Sequence, residues 1–119
     1  MNEACVLLVD DDEDWLLLMQ STLKREGLTA VTSINGKDIW EKIDTCHPNV
    51  ILLDIQMNGV SGESFCRSLK INPATSDIPI LMFSSNKDID LIAKRCGADG
   101  YVPKSVSTKK VKEMVMQYV

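Results

Sequence analysis

The stretch Asn49-Val50-Ile51-Leu52-Leu53-Asp54 constrains this chain more than any other. Four apolar residues, the first two β-branched, run into one carboxylate and then into Ile55-Gln56-Met57-Asn58-Gly59. A short unbroken apolar run bounded by turn residues is the pattern of a strand buried on both faces, as in the middle of a parallel sheet. Open α/β sheets bind their ligands outside the carboxyl ends of the strands, where Asp54 emerges. Alone, that acid reads first as an ordinary strand-end residue beginning a turn, so the other strands must decide.

Cys5-Val6-Leu7-Leu8-Val9 is a second such run, too short for a helix and again followed by acid, here Asp10 to Asp14. Trp15, Leu16, Met19 and Leu23 follow at helical spacing, with Gly27 as the expected closing residue. A strand is expected over 28–32, then a helix opened by Asn35 and Asp38 that carries Ile39, Trp40 and Ile43. Beyond Asp54, Gly59 and Gly62 bracket a loop, and a helix from near Ser61 presents Phe65, Cys66 and Leu69. Asn72 to Asp77, containing Pro73, is turn chemistry. Ile78 to Phe83 makes a third apolar strand, with Pro79 confined to its start, where a missing N–H is tolerated. Ser85 and Asp88 open a helix bearing Ile89, Ile92 and Ala93, stopped by Gly97. Tyr101-Val102 is a short fifth strand running into Pro103-Lys104-Ser105, and Ser107 caps a last helix with Val111, Met114, Val115 and Tyr118 inward.

Strands alternating with helices imply βαβ crossovers and a mostly parallel sheet. The expected fold class is α/β: a doubly wound five-stranded parallel sheet, flavodoxin-like (βα)5, with helices on both faces. In such a sheet every carboxyl end points the same way. Asp10 and Asp11, Asp54, Ser84 and Lys104 each follow a strand directly and therefore collect on one edge.

Composition narrows the function. The 119 residues fit one domain, 1–119, and no apolar run approaches the roughly 20 residues of a membrane span. A formal net charge of −4 provides no general field for phosphate backbones or anionic membranes, so direct nucleic acid binding is not expected. Met1-Asn2-Glu3-Ala4 lacks the basic and apolar regions of a signal peptide. Cys5, Cys46, Cys66 and Cys96 are widely spaced, and are read as four buried, reduced thiols in a cytoplasmic protein.

Carboxylates crowded together raise one another's pKa unless a cation sits among them. Oxygen donors of this kind suit Mg²⁺, which accepts one or two carboxylates and keeps several waters. Such a site stabilises a phosphoryl group in transfer, with Lys104 and the Ser84 hydroxyl available for its remaining oxygens. One acid must be the nucleophile, forming an acyl phosphate. Asp54 is the candidate, because it stands alone on the central strand while Asp10 and Asp11 form a pair suited to the metal. There is no Gly-x-x-x-x-Gly-Lys-Ser/Thr loop to imply a nucleotide.

Val9-Asp10-Asp11, Leu53-Asp54-Ile55-Gln56-Met57 with Gly62, Phe83-Ser84-Ser85 and Gly97-Ala98-Asp99-Gly100-Tyr101-Val102-Pro103-Lys104 occur in order, each at a strand end. Together they resemble a response-regulator receiver domain of two-component (phosphorelay) signalling over the whole chain. The resemblance implies Asp54 as phosphoacceptor, Asp11 as direct Mg²⁺ ligand and Asp10 acting through water, with the Gln56 backbone carbonyl completing the protein's share. It implies Ser84 binding the phosphoryl group, Ser84 and Tyr101 forming the switch, and Lys104 pairing with the phosphoryl charge. A histidine kinase or histidine phosphotransfer protein is then the donor. A downstream protein, or an output domain outside this chain, is the receiver of the signal.

Three departures stand out. Asn58 replaces the usual Pro after Met57, Ser84 replaces the commoner Thr, and Lys104-Ser105 replaces Lys-Pro. A cis bond before Ser costs roughly 2.5–4 kcal/mol, so the placement of Lys104 needs testing. Asn58 and Ser105 also give weight to a second reading, an unphosphorylated interaction module with a degenerate site. Asp10-x-Asp12 imitates a haloacid dehalogenase-type phosphohydrolase, but the later acid pair and cap are missing. A calcium loop over Asp10 to Ser21 fails, because Trp15 and Ser21 stand where Gly and Glu are required. Trp15 and Trp40 are read as helix packing residues, His47 as structural and Tyr101 as core or switch.

Overall fold

A computed structural model describes residues 4–57 and 59–119; the readings placed on Met1 to Glu3 and on Asn58 lie outside the described residues. Strands β1 (Cys5–Val9), β2 (Thr29–Ser33), β3 (Val50–Asp54), β6 (Ile80–Ser84) and β7 (Gly100–Pro103) form one sheet in the order β2-β1-β3-β6-β7. Every pairing in it is parallel. The helices are α1 (Glu13–Lys24), α2 (Ile39–Cys46), α3 (Gly62–Ile71), α4 (Ile89–Cys96) and α5 (Thr108–Met116). The family fold expected from the sequence is the fold observed.

Alternation along the strands divides the core. Val6, Leu8, Leu52, Leu81 and Phe83 face α1 and α5, which add Leu16, Met19, Leu23, Val111 and Val115. Leu7, Val9, Ile51, Leu53, Ile80 and Met82 face α2, α3 and α4. A strand covered on both sides has no polar face to keep, so β1, β3 and β6 are fully buried. Each Leu, Ile or Val buried there contributes about 1.5–3 kcal/mol, which fixes the register and so the position of the residue that ends each strand.

Local chemistry sets the helix ends. Asp12, Ser61 and Ser107 accept hydrogen bonds from the amides of Trp15, Ser64 and Lys110 as N-caps. Gly97 closes α4 at φ 84°, a left-handed conformation that favours glycine. Several sequence expectations shift. α1 stops at Lys24 with Arg25 as its cap, so Gly27 lies beyond the closing position. β6 begins after Pro79 rather than before it. Asp38 precedes α2 but caps nothing, because its carboxylate already accepts the Ser33 hydroxyl at 2.5 Å. The loop after Asp54 contains a two-residue antiparallel pair, β4 (Gln56–Met57) with β5 (Val60–Ser61). Trp40 is 39% exposed and packs less than expected.

β2 is an edge strand. Its odd-numbered residues bond to β1, as Thr29 and Ser33 do through Ala4 and Asp10, which turns the carbonyls of Ala30 and Thr32 outward. Gln20 Nε2 from α1 donates to the first at 2.8 Å, and Lys42 Nζ from α2 donates to the second at 2.8 Å.

The cysteine reading needs correction. Cys66 and Cys96 are free and buried, but Cys5 and Cys46 are joined in a disulfide. Asn49 brings them together: its amide donates to the Cys5 carbonyl at 2.7 Å, and its side-chain carbonyl accepts from the Cys5 amide at 3.0 Å. That places the end of α2 against the start of β1, with the two Cα atoms 6.5 Å apart. A sequence separation of 41 conceals this proximity.

Candidate functional site

β1 and β3 are neighbours with Val9 paired to Leu53, so the acid one step past each apolar run arrives beside the other. Asp10 and Asp54 are only 1% and 3% exposed, while Asp11 is half-buried. One oxygen from each of Asp10, Asp11 and Asp54 lies within 4.8 Å of the other two.

Lys104 reaches the acids from the end of β7. Its Nζ donates to Asp54 Oδ2 at 3.1 Å and lies 3.3 Å from Asp10 Oδ2. Its backbone amide donates to the Ser84 carbonyl at 3.0 Å, fastening the loop to β6. The ammonium also lies 5.3 Å from the centre of the Phe83 ring, which stacks on Trp15 at 4.4 Å. No peptide bond among the described residues is cis. Lys104-Ser105 is therefore trans, and the lysine still meets both carboxylates.

Ser84 ends β6 one residue past Phe83, the partner of Asp54, and its Oγ accepts from the Asn86 amide at 3.0 Å. The Gln56 amide donates to Asp54 Oδ1 at 3.3 Å, and the Gln56 side chain is exposed. Tyr101 pairs with Met82 on the neighbouring strand and remains 41% exposed, so its ring is outside the core.

The charges are poised against one another. Burial pushes the Asp10 carboxyl up to about 6; Asp54 adds to the rise, and the Asp12 amide and Lys104 oppose it. Burial likewise raises Asp54, against the pull of Lys104 and the Gln56 amide. Burial works against the Lys104 ammonium too, but Asp10 and Asp54 outweigh it and hold that group above its ordinary range. Asp10 Oδ2 is buried and accepts no hydrogen bond, an uncommon condition for a carboxylate oxygen. An all-oxygen donor set that includes a buried oxygen with an ammonium 3.3 Å away but no hydrogen bond fits a hard divalent cation such as Mg²⁺.

A family model described as the response regulator receiver domain matches residues 6–116. The chain belongs to that family. Such receivers are phosphoacceptor signalling modules rather than enzymes in the ordinary sense, and they interact with histidine kinases and output targets. The chain is 31% identical to Protein PilG of Pseudomonas aeruginosa, over 96% of its own length and 86% of that protein. It is 34% identical to the chemotaxis protein CheV1 of Helicobacter pylori over 99% of this chain and 39% of that one. With PhoP of Bacillus subtilis, an alkaline phosphatase synthesis regulator, identity is 30% over 92% of this chain and 46% of that one. The chain thus spans less than half the length of these last two relatives. Among solved structures, the Bermanella marisrubri receiver domain superposes with a TM-score of 0.87 at 27% identity, covering 98% of each chain. Vibrio cholerae chemotaxis protein CheY4 superposes at 0.88 with 22% identity, covering 99% of this chain and 100% of that one, and speaks for the fold alone.

Within this receiver, Asp10, Asp11, Asp54 and Lys104 converge, with Ser84 on the adjoining strand end. Two supports are contacts that the sequence does not display, although Gly62 itself belongs to the pattern that carries the resemblance. Gly62 opens α3 directly against Asp54: a Cβ there would stand 1.7 Å from the Asp54 carbonyl oxygen. Its amide donates to the Ile55 carbonyl at 2.7 Å, holding the loop closed beneath the acid. The Trp15–Phe83 stack beneath Lys104 was the other, and its signal was an aromatic immediately before Ser84.

Proposed function

We propose that residues 1–119 act as one receiver domain in the cytoplasm, accepting a phosphoryl group on Asp54 from a histidine kinase or histidine phosphotransfer protein. The ion pair from Lys104 to Asp54, inside a cluster of three acids, is the observation that carries this reading. An Asp54 oxygen attacks phosphorus; the O–P bond forms as the P–N bond to the donor imidazole breaks, and the imidazole leaves with the electron pair and takes up a proton. Lys104 stays beside the acceptor and offsets the charge of the incoming group. Asp10, Asp11, Asp54 and the Gln56 backbone carbonyl would hold Mg²⁺, which supplies further neutralisation of the phosphoryl oxygens.

The Ser84 hydroxyl then donates to a phosphoryl oxygen and Tyr101 leaves solvent, changing the surface formed by α4, β7 and α5. That surface selects the downstream protein, or an output domain outside this chain. The same residues assist both gain and loss of the phosphoryl group, so the domain promotes its own turnover without being an enzyme for a separate substrate.

Incubation with Mg²⁺ and a small acyl phosphate donor should add one phosphoryl mass to Asp54. Asp54→Asn should reduce incorporation to about one hundredth or less. Undiminished incorporation in that variant overturns the assignment. Absence of both phosphorylation and beryllofluoride binding in the wild type would favour an inert interaction module.

A further inference from the structure

The cystine lies at the end of the sheet remote from Asp54, and it fastens a short helix with few buried residues. α2 has eight residues and places only Ile39 and Ile43 in the core. Its first turn is anchored through polar contacts: Ser33 to Asp38, and Lys42 Nζ to the Thr32 carbonyl. Its last residue is Cys46, followed by His47 in a left-handed conformation at φ 48°. This end of the helix is tied to the start of β1 by the Cys5–Cys46 bond, with the Asn49 pairing just beyond it.

The four cysteines fall into two classes. Cys66 and Cys96 are buried where α3 meets α4, and their thiols donate to the carbonyls of Cys96 and Ala93 at 3.5 Å. Burial raises the Cys66 thiol far above the ordinary range, which removes its reactive thiolate. Cys46 is half-buried at a helix end, the more exposed partner of the pair, and Cys5 is buried. On the proposed function, on which this premise rests, the chain works in a reducing compartment, where disulfides are usually transient and redox-sensing rather than structural.

We propose that Cys5 and Cys46 form a thiol–disulfide switch that sets how firmly α2 is held, as a second input independent of Asp54. The reactant is a low-molecular-weight thiol of the glutathione class. Its thiolate attacks Cys46 Sγ, the Sγ–Sγ bond breaks, and Cys5 leaves as a thiolate that takes up a proton. A second thiolate attacks the mixed disulfide, releasing Cys46 and a low-molecular-weight disulfide. Oxidation is the reverse: the two cysteines give up two electrons and two protons to that disulfide, which becomes two thiols. Reduction frees the end of α2 and changes the surface around Trp40, leaving the acid cluster in place.

The test equilibrates the full chain with glutathione buffers whose thiol-to-disulfide ratio spans about a thousandfold. Free thiols are then trapped with a maleimide and located by mass spectrometry. Cys46 should become labelled within that range while the buried Cys66 and Cys96 stay unlabelled in the folded protein, and Cys5 should become labelled only when the trapped protein is then unfolded. Hydrogen exchange of 39–46 should quicken about tenfold or more on reduction, with β3 and β6 unchanged. The wild-type chain supplies both states, and Cys46→Ser should match the reduced state in oxidising buffer. Asp54→Asn should show the same transition, separating this inference from the phosphoacceptor reading. A pair that remains oxidised throughout is a structural disulfide and overturns the proposal. So does a pair that never oxidises, or one whose reduction leaves 39–46 equally protected.

Discussion

The two ends of the sheet are built on opposite terms. At the amino end, polar groups are paired to completion: Asn49 satisfies both backbone groups of Cys5. Asp99 accepts from the Ile80 amide at 2.8 Å and from Lys70 Nζ at 2.6 Å, and Lys70 also donates to the carbonyls of Ser76 and Ile78. At the carboxyl end, three acids are clustered and two of them, Asp10 and Asp54, share one lysine, while Asp10 Oδ2 is buried without a hydrogen bond. Burying a charge without full pairing costs free energy. One end is thus spent on holding the fold, and the other stores an imbalance that a cation or a phosphoryl group can relieve.

The largest expected effect tests the imbalanced end directly. Mg²⁺ at a hundred times its dissociation constant should stabilise the fold by about 2.7 kcal/mol, read as a higher melting temperature. Asp11→Ala should remove that rise; a rise that persists would mean that the cation binds elsewhere.

Next comes the metal-free protein. With Asp10 titrating near 6 when folded and 3.8 when unfolded, the folded state binds more protons between those values. Stability should therefore fall as pH rises from about 4 to 6 and level off above. Asp10→Asn should reduce this slope, leaving the part due to Asp54, and raise stability at pH 7 without Mg²⁺. Chemical denaturation at several pH values measures both, and a destabilised variant would mean that Asp10 is already adequately paired. The smallest change belongs to the other end. Asp99→Ala should cost about 1 kcal/mol at every pH from 5 to 8, with or without Mg²⁺, because it deletes paired hydrogen bonds and no stored repulsion.

The fold was legible because β1, β3 and β6 are covered on both faces, which leaves unbroken apolar runs that turn residues delimit. The acids were legible for the same reason: each stands where such a run stops. Features made by contact between distant segments were hidden. Nothing in Gly62 itself announces that α3 begins against the Asp54 carbonyl, and nothing in Cys5 points to Cys46. Lys104 illustrates the middle case. The substitution of Ser105 for Pro suggested a misplaced lysine, yet the bond to Ser84 and the Phe83 ring position it with an ordinary trans peptide. Tyr101 was left open between core and switch by its sequence, and its outward ring is a fact of packing alone.

Gln20 and Lys42 come from opposite layers to occupy the outward carbonyls of Ala30 and Thr32. A foreign chain offering its amides to that margin would have to evict both side chains first, one of them charged. That margin of the sheet is thereby closed to strand addition.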